Sequence, residues 1–456
     1  MIHEKADYRA VQLLFKSYLS AILIGTGLLM MPWATCLDGS LGLLNSFFTA
    51  TSAICVTGLT VVDMTYFTWW GQFVVLFLIQ LGGIGILIFS TFFMIVVFQR
   101  ISLSDAFHFQ GMVGEITAKS VFRLIRHIFL IVLSIEGIGA ALLMLFVFKS
   151  RYPFWQAMWY SVFHAISAFC NAGFSLYADS FVSLRQSVML NVTIMALIVS
   201  GGLGFIVYED IYRLIKKIQR GKRQRRLSVH TKIVFVMTGI LIIGGALAFF
   251  ILEVHNVDKQ MPFPQKIVTA LFQSVTARTA GFNTVPIAQL SIPTLIVLFV
   301  FMFIGGAPGS CAGGIKVTTA AIIFLLLGKS TRGRYDVTIF QRKIPEAVII
   351  RALTLLLVSL LLTAAAVFGI ILCENAGKSF QISQGDFLRV LFECISAYGT
   401  VGLSMGITPT LTALSKCILI CLMFIGRLGP LSLGILFVSR QRTQLYELPE
   451  ENILIG

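Results

Sequence analysis

Charged side chains are scarce in this chain. Lys, Arg, Asp and Glu make up 12% of the 456 residues, against 57% for the hydrophobic residues, whereas about 25% of the residues in a soluble domain are charged. Such a chain cannot hide its apolar surface in one soluble core, so we expect an integral membrane protein. Its apolar runs reach or approach the roughly 20 residues that a bilayer crossing requires. They predict eight spans, at residues 12–32, 71–98, 127–148, 187–207, 232–252, 291–327, 349–372 and 411–438.

Several signatures of other functions are missing. No span carries arginines at every third position, as a voltage sensor does, and no cluster of Ser, His and Asp within the spans suggests an enzyme. The 8 cysteines lie mostly in apolar segments and lack the spacing of a metal site. No glycine motif for nucleotides precedes a helix, and no segment between spans is long enough for a further domain. We therefore expect no enzyme activity, no organic cofactor on this chain, and regulation by a separate protein.

The basic residues indicate how the chain is oriented. They concentrate in the segments 100–126, 213–232 and 329–351, whereas the intervening loops carry few. Cytosolic loops are rich in Lys and Arg, so these three segments and both termini are expected in the cytosol. The net charge of +15 then reflects loops over an anionic lipid surface, and the dispersal of the basic residues argues against a nucleic-acid partner. The first apolar run lacks a small-residue cleavage site and is expected to be a retained span.

Four short segments resemble one another, and each consists of a predicted half-helix followed by a glycine-centred strand. Their glycines recur about every 110 to 120 residues, a spacing too long for a solenoid repeat but suited to a duplicated membrane module. Each motif lies between two spans. We call the four strands the filter strands: Val56-Thr57-Gly58-Leu59, Asn171-Ala172-Gly173-Phe174, Thr279-Ala280-Gly281-Phe282 and Thr400-Val401-Gly402-Leu403.

This repetition predicts an all-α integral membrane fold. Four pseudo-fourfold modules of span, pore loop and span, with eight transmembrane helices and four re-entrant half-helices, would surround one central pore. The predicted module boundaries are 1–98, 99–212, 213–328 and 329–456. A half-helix that descends from outside points its negative carboxyl end at the membrane centre, where it favours a cation. Glycine allows the backbone to turn successive carbonyl groups toward the same axis.

The third module contains an interruption that the others were not expected to have. Its second apolar run, 291–327, is too long for one untilted crossing, and the segment 304–316, the broken loop, interrupts it near mid-membrane. Irregular backbone at that depth is tolerated only when buried in protein or lining a water-filled cavity, so we expect the loop below the filter strands. Close helix packing through small residues is the alternative. The candidate gate residues in the loop are Gly305, Gly306, Pro308, Gly309, Gly313, Gly314 and Lys316.

Arg427 lies inside the last span, and Lys316 ends the broken loop. A charge at mid-membrane costs at least about 2.5 kcal/mol, so both side chains are expected to face the pore or a partner. Two interpretations of Arg427 stay open and are compatible. It lies beneath the filter strands, where it limits ion occupancy and braces the loop, or it pairs with Glu393 or Glu136.

With these motifs the whole chain resembles the potassium transporter superfamily that contains the TrkH, KtrB and fungal Trk proteins, and it looks most like a KtrB pore subunit. Thr400-Val401-Gly402 is similar to the signature of tetrameric potassium channels, but Leu403 and Ser404 follow where the channel signature continues to a second glycine. The resemblance implies potassium uptake through a filter centred on Gly58, Gly173, Gly281 and Gly402, with the broken loop as an intramembrane gate.

The resemblance also implies partners and a location. These are a bacterial plasma membrane, a homodimer of pore subunits, and a cytosolic RCK/KTN nucleotide-binding ring, KtrA-like or KtrC-like, docked on basic residues between 213 and 232. Sodium would act as an activator or coupling ion. The alternative function is a broken-helix secondary transporter that couples a small solute to a cation. It predicts inverted repeats, whereas all four modules here are expected to share one orientation.

Overall fold

The computed structural model describes residues 2–36, 41–85, 118–221, 226–256, 259, 261–330, 337–377 and 385–429. These ranges are mostly helical, as the composition predicts. The helices are α1 (Ile2–Leu29), α2 (Leu43–Ile54), α3 (Trp69–Ile84), α4 (Ala118–Leu143), α5 (Phe154–Phe169), α6 (Val188–Gly202), α7 (Phe205–Gln219), α8 (Val229–Glu253), α9 (Phe263–Thr276), α10 (Ile292–Phe303), α11 (Val317–Ser330), α12 (Glu346–Asn375), α13 (Asp386–Gly399) and α14 (Ala413–Leu428).

Shorter elements complete the described chain. A π-helical turn, Met144–Phe148, extends α4, and 3₁₀ turns occur at Pro32–Ala34, Met64–Tyr66, Ile287–Gln289 and Thr408–Thr410. An antiparallel hairpin of β1 (Thr338–Ile339) and β2 (Arg342–Lys343) precedes α12, with Thr338 opposite Lys343. Both residues of its turn have positive φ, as a two-residue hairpin turn of the primed type requires.

Each module repeats the same order of a long apolar helix, a half-helix and a shorter apolar helix. The long helices α1, α4, α8 and α12 are long and apolar enough to cross a membrane, and they coincide with the predicted spans 12–32, 127–148, 232–252 and 349–372. The half-helices are α2, α5, α9 and α13. Pro153 is the N-cap of α5 and Asp386 begins α13, and both residue types are typical of helix starts.

The second helix of each module is shorter than the sequence suggested. Only four helices of the described residues, or five if the bent pair α6 and α7 counts as one, meet the length and hydropathy of a span. α3 ends at Ile84, α10 at Phe303 and α14 at Leu428, and α7 leaves α6 at 90°. The parts of the predicted spans at 86–98 and 430–438 lie outside the described residues. A glycine with φ between +84° and +91° stands where α3, α6 and α14 end: Gly85, Gly204 and Gly429.

The modules share hydrophobic cores and are not separate domains. One core joins Ile54 of the first module to Phe169 of the second, another joins Phe48 to Tyr398 of the fourth, and a third joins Phe249 to Phe392. The first module therefore packs against both the second and the last. The boundary expected at residue 212 falls within α7.

Candidate ion pathway

The glycines of the four filter strands form a closed ring. A Cβ atom placed on Gly58 would lie 3.2 Å from the Cα of Gly173; the equivalent distances are 2.9 Å from Gly173 to Gly281, 3.2 Å from Gly281 to Gly402, and 3.1 Å from Gly402 to Gly58. The order around the ring is the order along the chain. Each added Cβ would also strike the carbonyl oxygen just before the next glycine, on Ala172, Ala280, Val401 and Thr57 in turn. The ring therefore has no room for any side chain.

Two residues before each ring glycine, the backbone adopts a left-handed conformation. The φ angles are +57° at Val56, +59° at Asn171, +67° at Thr279 and +49° at Thr400. These residues are not glycine, and two carry a β-branched hydroxyl side chain, for which positive φ is rare. The residue between each of them and its glycine has ordinary negative φ, so left-handed and ordinary residues alternate along all four strands. Nothing in the sequence predicted strain at these positions.

The half-helices end in the same way in three modules. The N–H groups of Thr57, Ala172 and Val401 each donate to the carbonyl five residues earlier at 2.8 Å, which is the long bond of a Schellman helix end. In the third module Ala280 donates to Thr276, four residues earlier, at 3.0 Å. The closing hydrogen bond of the third half-helix therefore spans one residue fewer than those of the other three, and the ring is only approximately fourfold.

A hydroxyl near the end of each half-helix fastens the backbone of its filter strand. The N–H groups of Gly58 and Gly402 donate to Ser52 and Ser396, both at 3.1 Å. In the other two modules the hydroxyl donates instead to the carbonyl that follows the glycine. Ser167 reaches Phe174 at 2.8 Å, and Thr276 reaches Phe282 at 2.5 Å.

Buried polar side chains in three half-helices hold the strands from behind. Glu393 accepts from the Ser404 hydroxyl at 2.5 Å and the Met405 N–H at 3.0 Å. Gln273 donates to Thr284 at 3.3 Å, and His164 accepts the N–H of Leu176 at 3.2 Å.

Sequence reasoning missed these braces. A signal was present, because each half-helix carries a polar residue three positions before its hydroxyl residue: Thr49 and Ser52, His164 and Ser167, Gln273 and Thr276, Glu393 and Ser396.

The side chains at the inner ends of the strands differ in their hydrogen bonding. Among the described residues, the hydroxyl groups of Thr57, Thr279 and Thr400 are buried and have no hydrogen-bond partner. Asn171 is satisfied when its amide nitrogen faces α6, where it donates to Ile198 at 3.1 Å and to Ala168 at 3.0 Å. Asn171 thus ties the second strand to the scaffold, whereas the hydroxyls of Thr279 and Thr400 remain available to a ligand.

The broken loop packs against the inner ends of the filter strands. A Cβ on Gly305 would lie 3.3 Å from the Cγ2 of Thr279, and a Cβ on Gly313 would lie 2.9 Å from the Cγ2 of Thr400. The loop closes on itself through the N–H of Gly305, which donates to Ile315 at 2.8 Å, and the N–H of Val317, which donates to Gly306 at 3.0 Å. The candidate gate residues of the broken loop thus lie together on the side of the ring where the half-helices end.

The broken loop is also bonded to the break between α6 and α7, residues 201–204, which we call the hinge. Ala307 donates to the carbonyl of Gly202 at 2.9 Å, and Cys311 donates to Gly201 at 3.2 Å. In return, Phe205 at the start of α7 donates to the carbonyl of Gly309 at 2.9 Å. A Cβ on Gly204 would lie 2.7 Å from the carbonyl oxygen of Pro308, so the close approach requires glycine.

Arg427 bridges the broken loop and the first module. Its guanidinium group donates to the carbonyl of Cys311 in the loop and to the carbonyl of Gly82 in α3. Glu393 bonds instead to the strand behind it, and Glu136 accepts from Gln80 at 3.0 Å, so in the described part of the chain neither carboxylate is the observed partner. The Nζ of Lys316 bends back within the loop and donates to Ala312 at 2.6 Å.

A family profile described as "TrkH: Cation transport protein" matches residues 9–445. The chain belongs to the TrkH family. Two curated relatives cover nearly all of it. The Potassium/sodium uptake protein NtpJ of Enterococcus hirae is 36% identical and spans 98% of this chain and 97% of its own length. The Ktr system potassium uptake protein B of Bacillus subtilis is also 36% identical, and the match spans 98% of this chain and 96% of its own length.

The fold agrees with that of a solved TrkH structure. The potassium transporter TrkH from Vibrio parahaemolyticus matches with a TM-score of 0.70 at 20% identity, over 92% of this chain and 84% of that one. At this identity the match shows the fold. Together with the family profile, it confirms that this TrkH family member is a membrane protein of the cation transporter class.

TrkH family membership was predicted from the filter motifs, but one repeated feature was missed. The second helices reach their ends through similar glycine-rich sequences: Gly82-Gly83-Ile84-Gly85, Gly201-Gly202-Leu203-Gly204, Gly305-Gly306-Ala307-Pro308-Gly309 and Gly426-Arg427-Leu428-Gly429. A Cβ on Gly82, Gly201 or Gly426 would lie 2.8 Å from the carbonyl carbon of Ile54, Phe169 or Tyr398, respectively. Each of these last three residues is the fourth before its ring glycine. Arg427 occupies the place of the second glycine.

Proposed function

We propose that this protein takes up potassium ions through the ring of filter strands. The observation that carries the proposal is the closed ring, in which four backbones of similar conformation approach one another in chain order. Rings of backbone carbonyls can replace the hydration shell of potassium. The four half-helices end within about five residues of their glycines, and their negative ends would favour a cation there. Potassium is the transported ion, and sodium is a second cation that activates the transport or is coupled to it.

The proposed topology has eight crossings in a bacterial plasma membrane, with both termini in the cytosol. Basic segments between modules support this orientation. Exposed tryptophans support it as well. Trp69 begins α3 and Trp155 lies in the first turn of α5, with exposures of 50% and 74%, and the ring centroids of Trp69 and Trp159 are 5.2 Å apart. Such rings settle at a membrane interface, which would here be the outer one.

We propose that displacement of the broken loop opens the path. The loop lies against two filter strands, its backbone is irregular, and it depends on hydrogen bonds from Arg427 and the hinge. A positive charge next to a cation path raises the barrier to the ion, so Arg427 both braces the loop and limits occupancy. A regulator would therefore act by moving Arg427 or the hinge, which hold the loop in place.

The proposed partners are a second copy of this chain and a cytosolic nucleotide-binding ring of the RCK type. Support comes from a relative whose printed name assigns it to a Ktr system, and from exposed basic side chains in the segment 213–232. A ring subunit with an acidic docking face would complement this segment.

The deciding experiment compares Gly402→Ser with Gly406→Ser by rubidium uptake into potassium-depleted cells. Both glycines have positive φ, +91° and +86°, but only a Cβ on Gly402 meets the ring, since nothing lies within 4 Å of one on Gly406. We expect Gly402→Ser to lower the apparent affinity for potassium, or its selectivity over sodium, by at least about tenfold, because the added side chain displaces a carbonyl. Gly406→Ser should behave as the native chain.

Unchanged selectivity and affinity in Gly402→Ser would contradict the filter assignment. Repeating the uptake at several external sodium concentrations separates two roles of sodium. A requirement for sodium at saturating potassium indicates coupling or activation, and its absence indicates simple conduction.

A further inference from the structure

Helix α7 leaves the membrane-crossing direction. Two residues separate the end of α6 from the start of α7, and the two helices run at 90° to each other. α6 has 15 residues, which at a rise of 1.5 Å each span about 22 Å of a hydrocarbon core that is about 30 Å thick. A helix that enters at the outer boundary therefore ends about 8 Å from the inner one. Amphipathic helices that lie in the membrane plane sit about 5–10 Å into that boundary.

The residues of α7 divide into an apolar and a charged side. Val207, Ile211, Leu214 and Ile218 follow a spacing of three and four residues and lie on one side. The opposite side carries the charges: Glu209, Arg213, Lys216, Lys217 and Arg220. This pattern is typical of helices that lie on membranes.

The first half of α7 is packed against the protein. Val207 is fully buried in a cluster with Val234 of α8 and Ala307 of the broken loop. Asp210 accepts from the N–H of Ser228 at 2.9 Å and from the Thr231 hydroxyl at 2.7 Å. Burial alone would raise the pKa of Asp210, but these hydrogen bonds outweigh it and hold the pKa below its ordinary value. The carboxylate thus stays charged and fixes α7 to the start of α8.

The second half of α7 extends away from the protein with its apolar side uncovered. Ile215 and Ile218 are 48% and 45% exposed. Lys216, Lys217 and Arg220 are exposed as well, whereas Arg213 is paired with Glu209 at 2.8 Å. A face that joins uncovered isoleucines to exposed cations, on a helix that runs at 90° to α6, is complementary to acyl chains and anionic headgroups together.

We propose that α7 lies in the cytosolic leaflet, binds anionic lipid headgroups through Lys216, Lys217 and Arg220, and by doing so holds the broken loop in place. The link to the loop is the set of three backbone hydrogen bonds between residues 201–205 and residues 307–311, together with the buried contact of Val207. Lipids that keep α7 parallel to the membrane keep the hinge in the position in which these bonds form. This effect on the loop rests on the proposed ion pathway, whereas lipid binding by α7 rests only on the proposed topology.

The binding is tested by tryptophan fluorescence in vesicles whose acyl chains are brominated. Ile218→Trp and Lys216→Trp place the reporter on opposite sides of α7, and the signal of the five native tryptophans is subtracted with the unmodified chain. We expect strong quenching at position 218 and weak quenching at position 216. Equal quenching at both positions, or none at either, would overturn the proposal whether or not the protein conducts potassium.

The effect on the loop is tested by rubidium flux in vesicles that contain this chain and no cytosolic partner. We expect phosphatidylglycerol added to phosphatidylcholine to lower the flux by at least about threefold, since anionic lipid stabilises one of two loop positions. The triple change Lys216→Gln, Lys217→Gln, Arg220→Gln should remove this lipid effect. The matched control neutralises three exposed basic residues elsewhere, Arg342, Lys343 and Arg351, and should keep it.

Two results would refute the effect on the loop. Flux that is the same in neutral and anionic vesicles, while other tests confirm conduction, shows that lipid does not act on the loop. If the triple variant keeps its lipid response but no longer responds to an added cytosolic ring, α7 is a protein dock. If the proposal holds, the basic residues that remain to dock the ring are those from 222 to 232: Lys222, Arg223, Arg225, Arg226 and Lys232.

Discussion

At the scale of single residues, the filter strands contain stored strain. Val56 and Thr400 adopt a left-handed conformation that β-branched residues rarely accept, and each such residue costs about 1–3 kcal/mol. The surrounding contacts maintain it, since the next residue of each strand bonds back to its half-helix at 2.8 Å. A backbone held in this way would be preorganised for the ion that we propose it binds, and little reorganisation would be needed on binding.

The buried hydroxyl of Thr400 provides a test at this scale. It has no hydrogen-bond partner among the described residues, so Thr400→Val should leave the melting temperature unchanged or raise it, because a buried polar group without a partner carries a desolvation cost of about 1–3 kcal/mol that the variant no longer has. If the hydroxyl binds the ion, the apparent affinity for potassium should fall by about three- to tenfold. Uptake kinetics and thermal unfolding measure the two quantities.

Thr363→Val is the matched control, because the Thr363 hydroxyl is bonded to Ser359 at 2.9 Å and lies in α12. It should lower stability slightly and leave affinity as it is. A Thr400→Val protein that is less stable but transports normally would place the hydroxyl in the scaffold instead.

The glycines of the ring could be predicted from the sequence, but the conformation around them could not. Repetition at even spacing between apolar runs was enough to single out Gly58, Gly173, Gly281 and Gly402. The left-handed residues before them are Val, Asn and Thr, whose intrinsic preferences point elsewhere, so tertiary contacts alone determine their conformation. The partners of Arg427 could not be predicted either, because they are backbone carbonyls. Every residue has one, and the sequence does not show which of them a side chain binds.

At the scale of helices and loops, the short second helices leave room for the broken loop beneath the filter strands. Each of α3, α6 and α14 passes its half-helix at a glycine and then ends. The break was predicted only in the third module, where proline and many glycines made it conspicuous. The glycines near the ends of α3, α6 and α14 indicated the same kind of break. Because these segments are uniformly hydrophobic, each was predicted as one continuous span.

Arg427→Gln tests whether this arrangement restrains the loop. The change removes the hydrogen bonds to Cys311 and Gly82 and a positive charge next to the path, so rubidium flux in vesicles without a cytosolic partner should rise by about threefold or more. Lys316→Gln, which removes a positive charge and one bond within the loop but leaves both hydrogen bonds of Arg427 in place, should raise it less. Unchanged or lower flux in a well-folded Arg427→Gln protein would argue against a restraining role.

At the scale of the whole molecule, the four modules form a closed circuit of shared cores. Phe48 and Leu59 of the first module pack in the same cluster as Tyr398 and Met423 of the last. Unfolding is therefore expected to be cooperative, because the loss of one module uncovers apolar faces on two others.

Removal of the fourth module tests this cooperativity. A chain ending at residue 377 should aggregate in detergent and show no uptake, since the core around Phe48 has lost its partners. Co-expression of 1–377 with 385–456 should restore a complex that co-purifies and transports. Size-exclusion chromatography and uptake measure both outcomes. A stable, monodisperse 1–377 fragment would mean that the modules fold separately.

The closing hydrogen bond of the third half-helix, which spans one residue fewer than those of the other three, has an evolutionary consequence. In a ring made from four identical subunits, every substitution is copied four times. Here a single gene encodes all four quarters, so natural selection can alter one quarter of the ring and leave three untouched.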